Sequence, residues 1–209
     1  MRRLPLVVLL LLAACSKKTD SKPADPPADT PSADPATPPA EPTAAATADA
    51  GAEAPGLEAG APAPEFSLTG SDGKTHSLAE LRGKQAVVLA WFPKAFTGGC
   101  TAECKSLVEG GAALREYDVA YFAISTDTPE ENKKFAESLG ADFPILSDPT
   151  GETAKAFGVL GKDGKHARRW TYYIGADGTI KDVDREVKPA SAAPDVVQRL
   201  ESLKIPKKG

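Results

Sequence analysis

From Leu57 onward, apolar residues fall in short runs separated by polar stretches that carry glycine or proline. Ala86 to Phe92 is such a run, and it predicts a buried strand. Val119 to Ser125 predicts a second, and Trp170 to Ile174 a third, which Gly175-Ala176-Asp177-Gly178 turns into Thr179 to Val187. Phe66-Ser67-Leu68 and Thr75-His76-Ser77-Leu78 flank the turn Gly70-Ser71-Asp72-Gly73 and predict a β-hairpin. Phe143-Pro144-Ile145-Leu146 is a further short apolar segment.

Between these runs the pattern is helical. Thr128-Pro129-Glu130-Glu131 reads as a capping box with proline at the first helical position. That helix carries Phe135 and Leu139 on one face and stops at Gly140. Ala79 to Gly83 is a short helical turn, and Thr153 to Phe157 a short helix. Thr101 to Leu107 suits a helix, which Gly110-Gly111 interrupts before Leu114. Pro194 opens a last helix with Val196, Val197, Leu200 and Leu203 at helical spacing. This order of elements predicts an α/β domain over 57–209: a mixed central sheet flanked by helices, with an N-terminal β-hairpin and no internal repeats.

Residues 1–56 follow other rules. Arg2 and Arg3 precede the apolar stretch Leu4 to Leu12, too short to span a bilayer, which ends in Leu12-Ala13-Ala14-Cys15. This resembles the signal and lipobox of bacterial lipoproteins. The resemblance implies cleavage before Cys15, lipidation of Cys15, and a place in the bacterial cell envelope, anchored to a lipid membrane with the domain on the extracytoplasmic side. Residues 16–56 are mostly Pro, Ala, Asp, Thr and Glu and have too little apolar surface to offset the entropy of folding. They are expected to be a disordered tether.

The 209 residues suffice for one domain plus these appendages. A net charge of −4 gives no sign of nucleic-acid binding. Of three cysteines, two lie close together at Cys100 and Cys104, a redox or metal pattern rather than a disulfide scaffold. Pro93 and Gly98-Gly99 end the Ala86–Phe92 strand in a loop, and the helix begins near Cys100. A helix N-terminus favours the thiolate, the reactive form of cysteine, through unpaired amides and the helix dipole.

Pro93-x-x-x-Thr97-x-x-Cys100 resembles the active-site signature of peroxiredoxins, and the wider stretch Trp91 to Thr97 is similar to the bacterioferritin comigratory protein branch. The resemblance spans roughly 60–205 and implies a thioredoxin-like fold. It implies a thiol-dependent peroxidase with no cofactor, a peroxide substrate, and an external thiol or dithiol reductant. Carried over residue by residue, Cys100 attacks the peroxide, Thr97 and the Cys100 N–H hold its oxygens, and Pro93 shields the site. Arg169, at the start of the Arg169–Ile174 run, takes the place of the family's polarising arginine, with Arg168 as the alternative.

Cys104 is the candidate resolving cysteine, which condenses with a sulfenic acid on Cys100. The alternative is a buried thiol with resolution by an external one. Relatives of this branch that resolve within this helix usually do so five residues on. At four residues the β-carbons of an intact helix stand roughly 6 Å apart, against about 3.8 Å in a disulfide, so the first turn must unwind. A second family fits part of the pattern. Cys100-x-x-x-Cys104 resembles the copper motif of Sco-type chaperones, with His166 in about the region of their histidine ligand. His166 reads as part of an exposed turn and His76 as part of the hairpin. The alternative to the peroxidase is therefore a Sco-type copper chaperone or a thiol-disulfide transfer protein using the Cys100-x-x-x-Cys104 pair, but copper binding does not account for the Pro-x-x-x-Thr-x-x-Cys spacing.

Overall fold

The computed structural model describes residues 57–209; the expected signal over 1–15 and tether over 16–56 lie outside the described residues. The hairpin forms around its glycine turn. β1 (Ser67–Gly70) pairs antiparallel with β2 (Thr75–Ser77). Gly73 closes the turn at φ 76°, a left-handed backbone that glycine adopts without steric cost. α1 (Leu78–Leu81) follows at once, because the Ser77 hydroxyl accepts from the Glu80 N–H at 3.3 Å and caps it. Leu78 is therefore the first residue of a helix, not the last of the strand.

β3 (Ala86–Trp91) is buried along its whole length. Its side chains alternate across the sheet: Val88 and Ala90 enter one core cluster, and Val87, Leu89 and Trp91 the other. Leu89, with no exposed surface, contributes about 2 kcal/mol of apolar burial. The chain continues through α2 (Gly98–Glu109), α3 (Gly111–Leu114), β4 (Val119–Ser125) and α4 (Pro129–Leu139). β5 (Ile145–Ser147), α5 (Glu152–Ala156), β6 (Thr171–Ile174) and β7 (Ile180–Asp184) follow. A 3₁₀ turn, Pro189–Ser191, then leads into α6 (Ala192–Ser202).

These strands form one mixed sheet of order β2-β1-β5-β4-β3-β6-β7. β3, β4 and β5 are parallel; β6 runs antiparallel beside β3. α2, α4 and α6 supply Cys104, Leu107, Phe135, Val196 and Leu200 to the core on one face. Ala154 of α5 joins Phe66, Phe157 and Tyr172 on the other.

The helix boundaries follow local chemistry. Thr128 caps α4 by accepting from the Glu131 N–H at 3.2 Å, and Gly140 ends it in the left-handed conformation at φ 61°. α2 ends at Gly110, where α6 passes so closely that a β-carbon would stand 2.3 Å from that of Ala193. α6 begins two residues before Pro194, which sits within the first turn, where a missing N–H costs nothing. β7 stops at Asp184, short of the expected Val187. The ends of β3 and β4 and the start of β6 meet at one edge of the sheet, and the loop after β3 lies there.

Candidate active site

β3 delivers the chain to this edge, and Pro93, half-buried, begins the loop that follows. Thr97 holds the N-cap position of α2 with extended backbone, so Cys100 is the third helical residue. The first helical hydrogen bond runs from the Thr101 N–H to the Thr97 carbonyl at 2.8 Å. The N–H groups before it therefore have no partner within the helix and face the loop. Thr97 occupies the cap position without capping: its hydroxyl donates to the Lys94 carbonyl at 2.9 Å.

Cys100 is buried at 1% exposure. Arg169 meets it, with Nη2 donating to Cys100 Sγ at 3.2 Å. Arg169 lies in the bend just before β6 rather than within the strand. The adjacent backbone is fixed, because the Trp91 N–H donates to the Trp170 carbonyl at 2.8 Å. Gly99 gives the guanidinium its room: a β-carbon there would stand 3.2 Å from Arg169 Nη2. Arg168, the alternative, turns away and lies over the Trp170 ring at 5.3 Å.

The other end of the guanidinium holds a residue that the motif reading missed. Arg169 Nη1 donates to Glu103 Oε2, an ion pair with the carboxylate side chain 1% exposed. Burial raises the Glu103 carboxyl more than Arg169 lowers it, and the group is pushed up to about 7. Its second oxygen, Oε1, has no hydrogen-bond partner among the described residues. The spacing Cys100-x-x-Glu103 was a usable signal, since i and i+3 share a helix face.

Cys104 lies one turn further along α2 with no exposed surface. Both thiols are free. Burial, then the Glu103 carboxylate and Cys100, push the Cys104 thiol well above its ordinary range. His166 is not part of this group; its Nδ1 is bonded to Asp163 Oδ2 within the turn around Gly164. His76 pairs with Asp72 and packs on Phe122. Among the described residues, no group of three or more His, Cys, Asp and Glu is placed to hold a metal ion.

A buried cysteine near a helix N-terminus, faced by an arginine at the edge of a thioredoxin-like sheet, defines a thiol-dependent peroxidase. The comparisons agree. The AhpC/TSA family matches residues 59–183, and the chain belongs to that family. Peroxiredoxin Bcp of Escherichia coli K12 is 36% identical over 143 residues, covering 65% of this chain and 90% of that protein. Alkyl hydroperoxide reductase E of Mycobacterium tuberculosis H37Rv is 35% identical over 127 residues, covering 60% and 83%. The crystal structure of peroxidoxin BcpB from M. tuberculosis superposes with a TM-score of 0.64 at 31% identity, covering 70% of this chain and 97% of that one. These relatives favour the peroxidase over the copper chaperone.

Proposed function

We propose that Cys100 is the peroxidatic residue of this peroxiredoxin, acting on hydrogen peroxide or an organic hydroperoxide. The carrying observation is the 3.2 Å contact of Arg169 Nη2 with Cys100 Sγ beside the open amides of α2. The thiolate sulfur attacks one peroxide oxygen and the O–O bond breaks. The other oxygen leaves as water or an alcohol after taking a proton, and Cys100 becomes a sulfenic acid. Arg169 and the helix N-terminus stabilise charge on sulfur and on the departing oxygen. Thr97 and the Cys100 N–H bind the peroxide oxygens, and Pro93 covers them.

Cys104 resolves the intermediate. Its sulfur attacks the sulfenic sulfur, the hydroxyl leaves as water, and a Cys100–Cys104 disulfide forms. The reaction is coupled to opening of the first turn of α2, because an intact turn holds the β-carbons too far apart. Opening also hydrates Cys104, whose burial disfavours the thiolate needed for attack. An external thiol or dithiol then reduces the bridge. At the other end of the chain, Leu12-Ala13-Ala14-Cys15 supports lipidation of Cys15 and a membrane anchor in the bacterial envelope.

The test is stopped-flow consumption of hydrogen peroxide by reduced protein. One equivalent should disappear per chain, and none in Cys100→Ser. Undiminished consumption by that variant would overturn the assignment.

A further inference from the structure

The geometry points to Asp127, two residues past the end of β4, as the positioning residue that holds the peroxide-binding loop in its reactive shape. The inference rests on the roles given above to Cys100 and Thr97. The loop between β3 and α2 carries Pro93 and Thr97, yet it has no regular structure to fix it. Asp127 supplies a fixed point. Its Oδ2 accepts from the Ala95 N–H at 2.7 Å, and its Oδ1 accepts from Lys94 Nζ at 2.8 Å. Both contacts fall in the middle of the loop, on the two residues between Pro93 and Phe96.

Asp127 is itself immobilised. It is 5% exposed. The Ser125 hydroxyl donates to Asp127 Oδ2 at 3.1 Å. Asn132 Nδ2 donates to Ser125 Oγ at 3.0 Å, to Ser147 Oγ at 2.9 Å and to the Leu146 carbonyl at 3.1 Å. This buried network ties the ends of β4 and β5 to the start of α4, and Asp127 is the member that reaches the loop. Buried polar groups so fully paired define one geometry.

The anchor is transmitted to the site in two short steps. Lys94, whose ammonium Asp127 holds, offers its carbonyl to the Thr97 hydroxyl at 2.9 Å. Between them, Phe96 is held at φ 60°, a left-handed backbone that a bulky residue rarely takes unless its neighbours impose it. Phe96 remains 56% exposed, and its ring meets Phe135 edge-on at 5.1 Å. A loop bent this way, with Ala95 released, has every reason to relax, and Thr97 would move with it. Cys100 and Arg169 are set by α2 and by the segment before β6, so they would stay in place.

Peroxide attack and alkylation of Cys100 should therefore separate. Attack on peroxide needs Thr97 in place, whereas alkylation by iodoacetamide needs only the thiolate. The test measures both second-order rate constants on the reduced full chain. Asp127→Ala should slow peroxide reaction about 100-fold, as a displacement near 1 Å does to an oriented site. Its alkylation rate should stay within about two-fold of wild type. Asp127→Asn keeps an acceptor for the Ala95 N–H, while half-exposed Lys94 swings into solvent; it should recover most of the peroxide rate. If the alanine variant does not fold, Asp127→Ser carries the same expectation, since its hydroxyl is too short to reach Ala95. Equal loss of both rates, a peroxide rate unchanged in the alanine or serine variant, or no recovery in Asp127→Asn would overturn the anchor. Failure of the underlying site assignment reads differently: wild type itself would then react with peroxide no faster than a free thiol.

Discussion

Arg169 stands between Glu103 and Cys100, one terminal nitrogen on the carboxylate and the other 3.2 Å from the sulfur. The arginine is the part of the site that responds to both the thiol and the helix interior. Replacing it removes the cation and leaves a buried carboxylate alone. Arg169→Ala should lower the peroxide rate constant by about 10²- to 10³-fold, the range for losing one preorganised donor. Arg168→Ala, which removes a guanidinium stacked on Trp170 rather than one bonded to the sulfur, should stay within a few-fold of wild type. Stopped-flow rates for the pair decide it, and reversed effects would place the polarising role on Arg168.

Glu103 makes folding stability depend on pH. Its carboxyl is raised from 4.5 to about 7, so between those values the folded chain holds a proton that the unfolded chain has lost. Stability from this group therefore falls as pH rises from about 4.5 to about 7 and is level beyond. Glu103→Gln removes the titration. Urea unfolding at a series of pH values should show a shallower slope across that window in the variant.

Gly110 tests packing rather than chemistry. A β-carbon there would meet that of Ala193 at 2.3 Å, where the half-buried C-cap of α2 passes buried Ala193 at the start of α6. Gly110→Ala should destabilise by about 1–3 kcal/mol through overpacking, despite alanine's better helix propensity. Thermal unfolding of variant and wild type measures this directly. A more stable variant would mean that α6 shifts freely.

Much of the fold was legible because its signals are local. The run Ala86 to Phe92, the Thr128-Pro129 cap and the Gly70–Gly73 turn each determine an element without help from distant residues. The cysteine motif was equally legible, since Pro93, Thr97 and Cys100 lie within one loop and one helical turn. What joins that motif from afar was harder to read. Arg169 was reached by resemblance, and only the geometry separates it from Arg168. Asp127 was missed because Ser125-Thr126-Asp127 reads as an ordinary strand end before a capped helix. Its importance comes from β4 running parallel beside β3, a pairing over 30 residues apart that no local pattern encodes. Leu78 and Pro194 were misplaced for the opposite reason: a cap and a 3₁₀ turn shifted helix starts by two residues or fewer.

Cys15 lies outside the described residues, and its role is tested by mass. The mature protein purified from membranes should carry a diacyl or triacyl modification at Cys15. Cys15→Ala should abolish processing or release the chain from the membrane fraction. An unmodified mature N-terminus in a membrane-free protein would sink the anchor.

The disulfide between Cys100 and Cys104 is the prediction most dependent on motion. In the folded helix both thiols are buried and free, on the same face and one turn apart. Closing the bridge needs the β-carbons roughly 2 Å nearer than an intact turn allows. Unwinding can begin at Gly98 and Gly99, both exposed and with no side chain to lose from packing. It would also withdraw Cys100 from Arg169, so the oxidised form gives up the 3.2 Å contact of the reduced site. Treat the reduced chain with one equivalent of hydrogen peroxide, map its disulfides by non-reducing peptide mass spectrometry, and follow amide exchange across 98–104. The expected result is an intramolecular Cys100–Cys104 bond with faster exchange in that turn than in the reduced protein. A sulfenic acid that persists on Cys100 beside a free Cys104 would establish a one-cysteine cycle instead. A bond between two chains would place resolution at an oligomer contact.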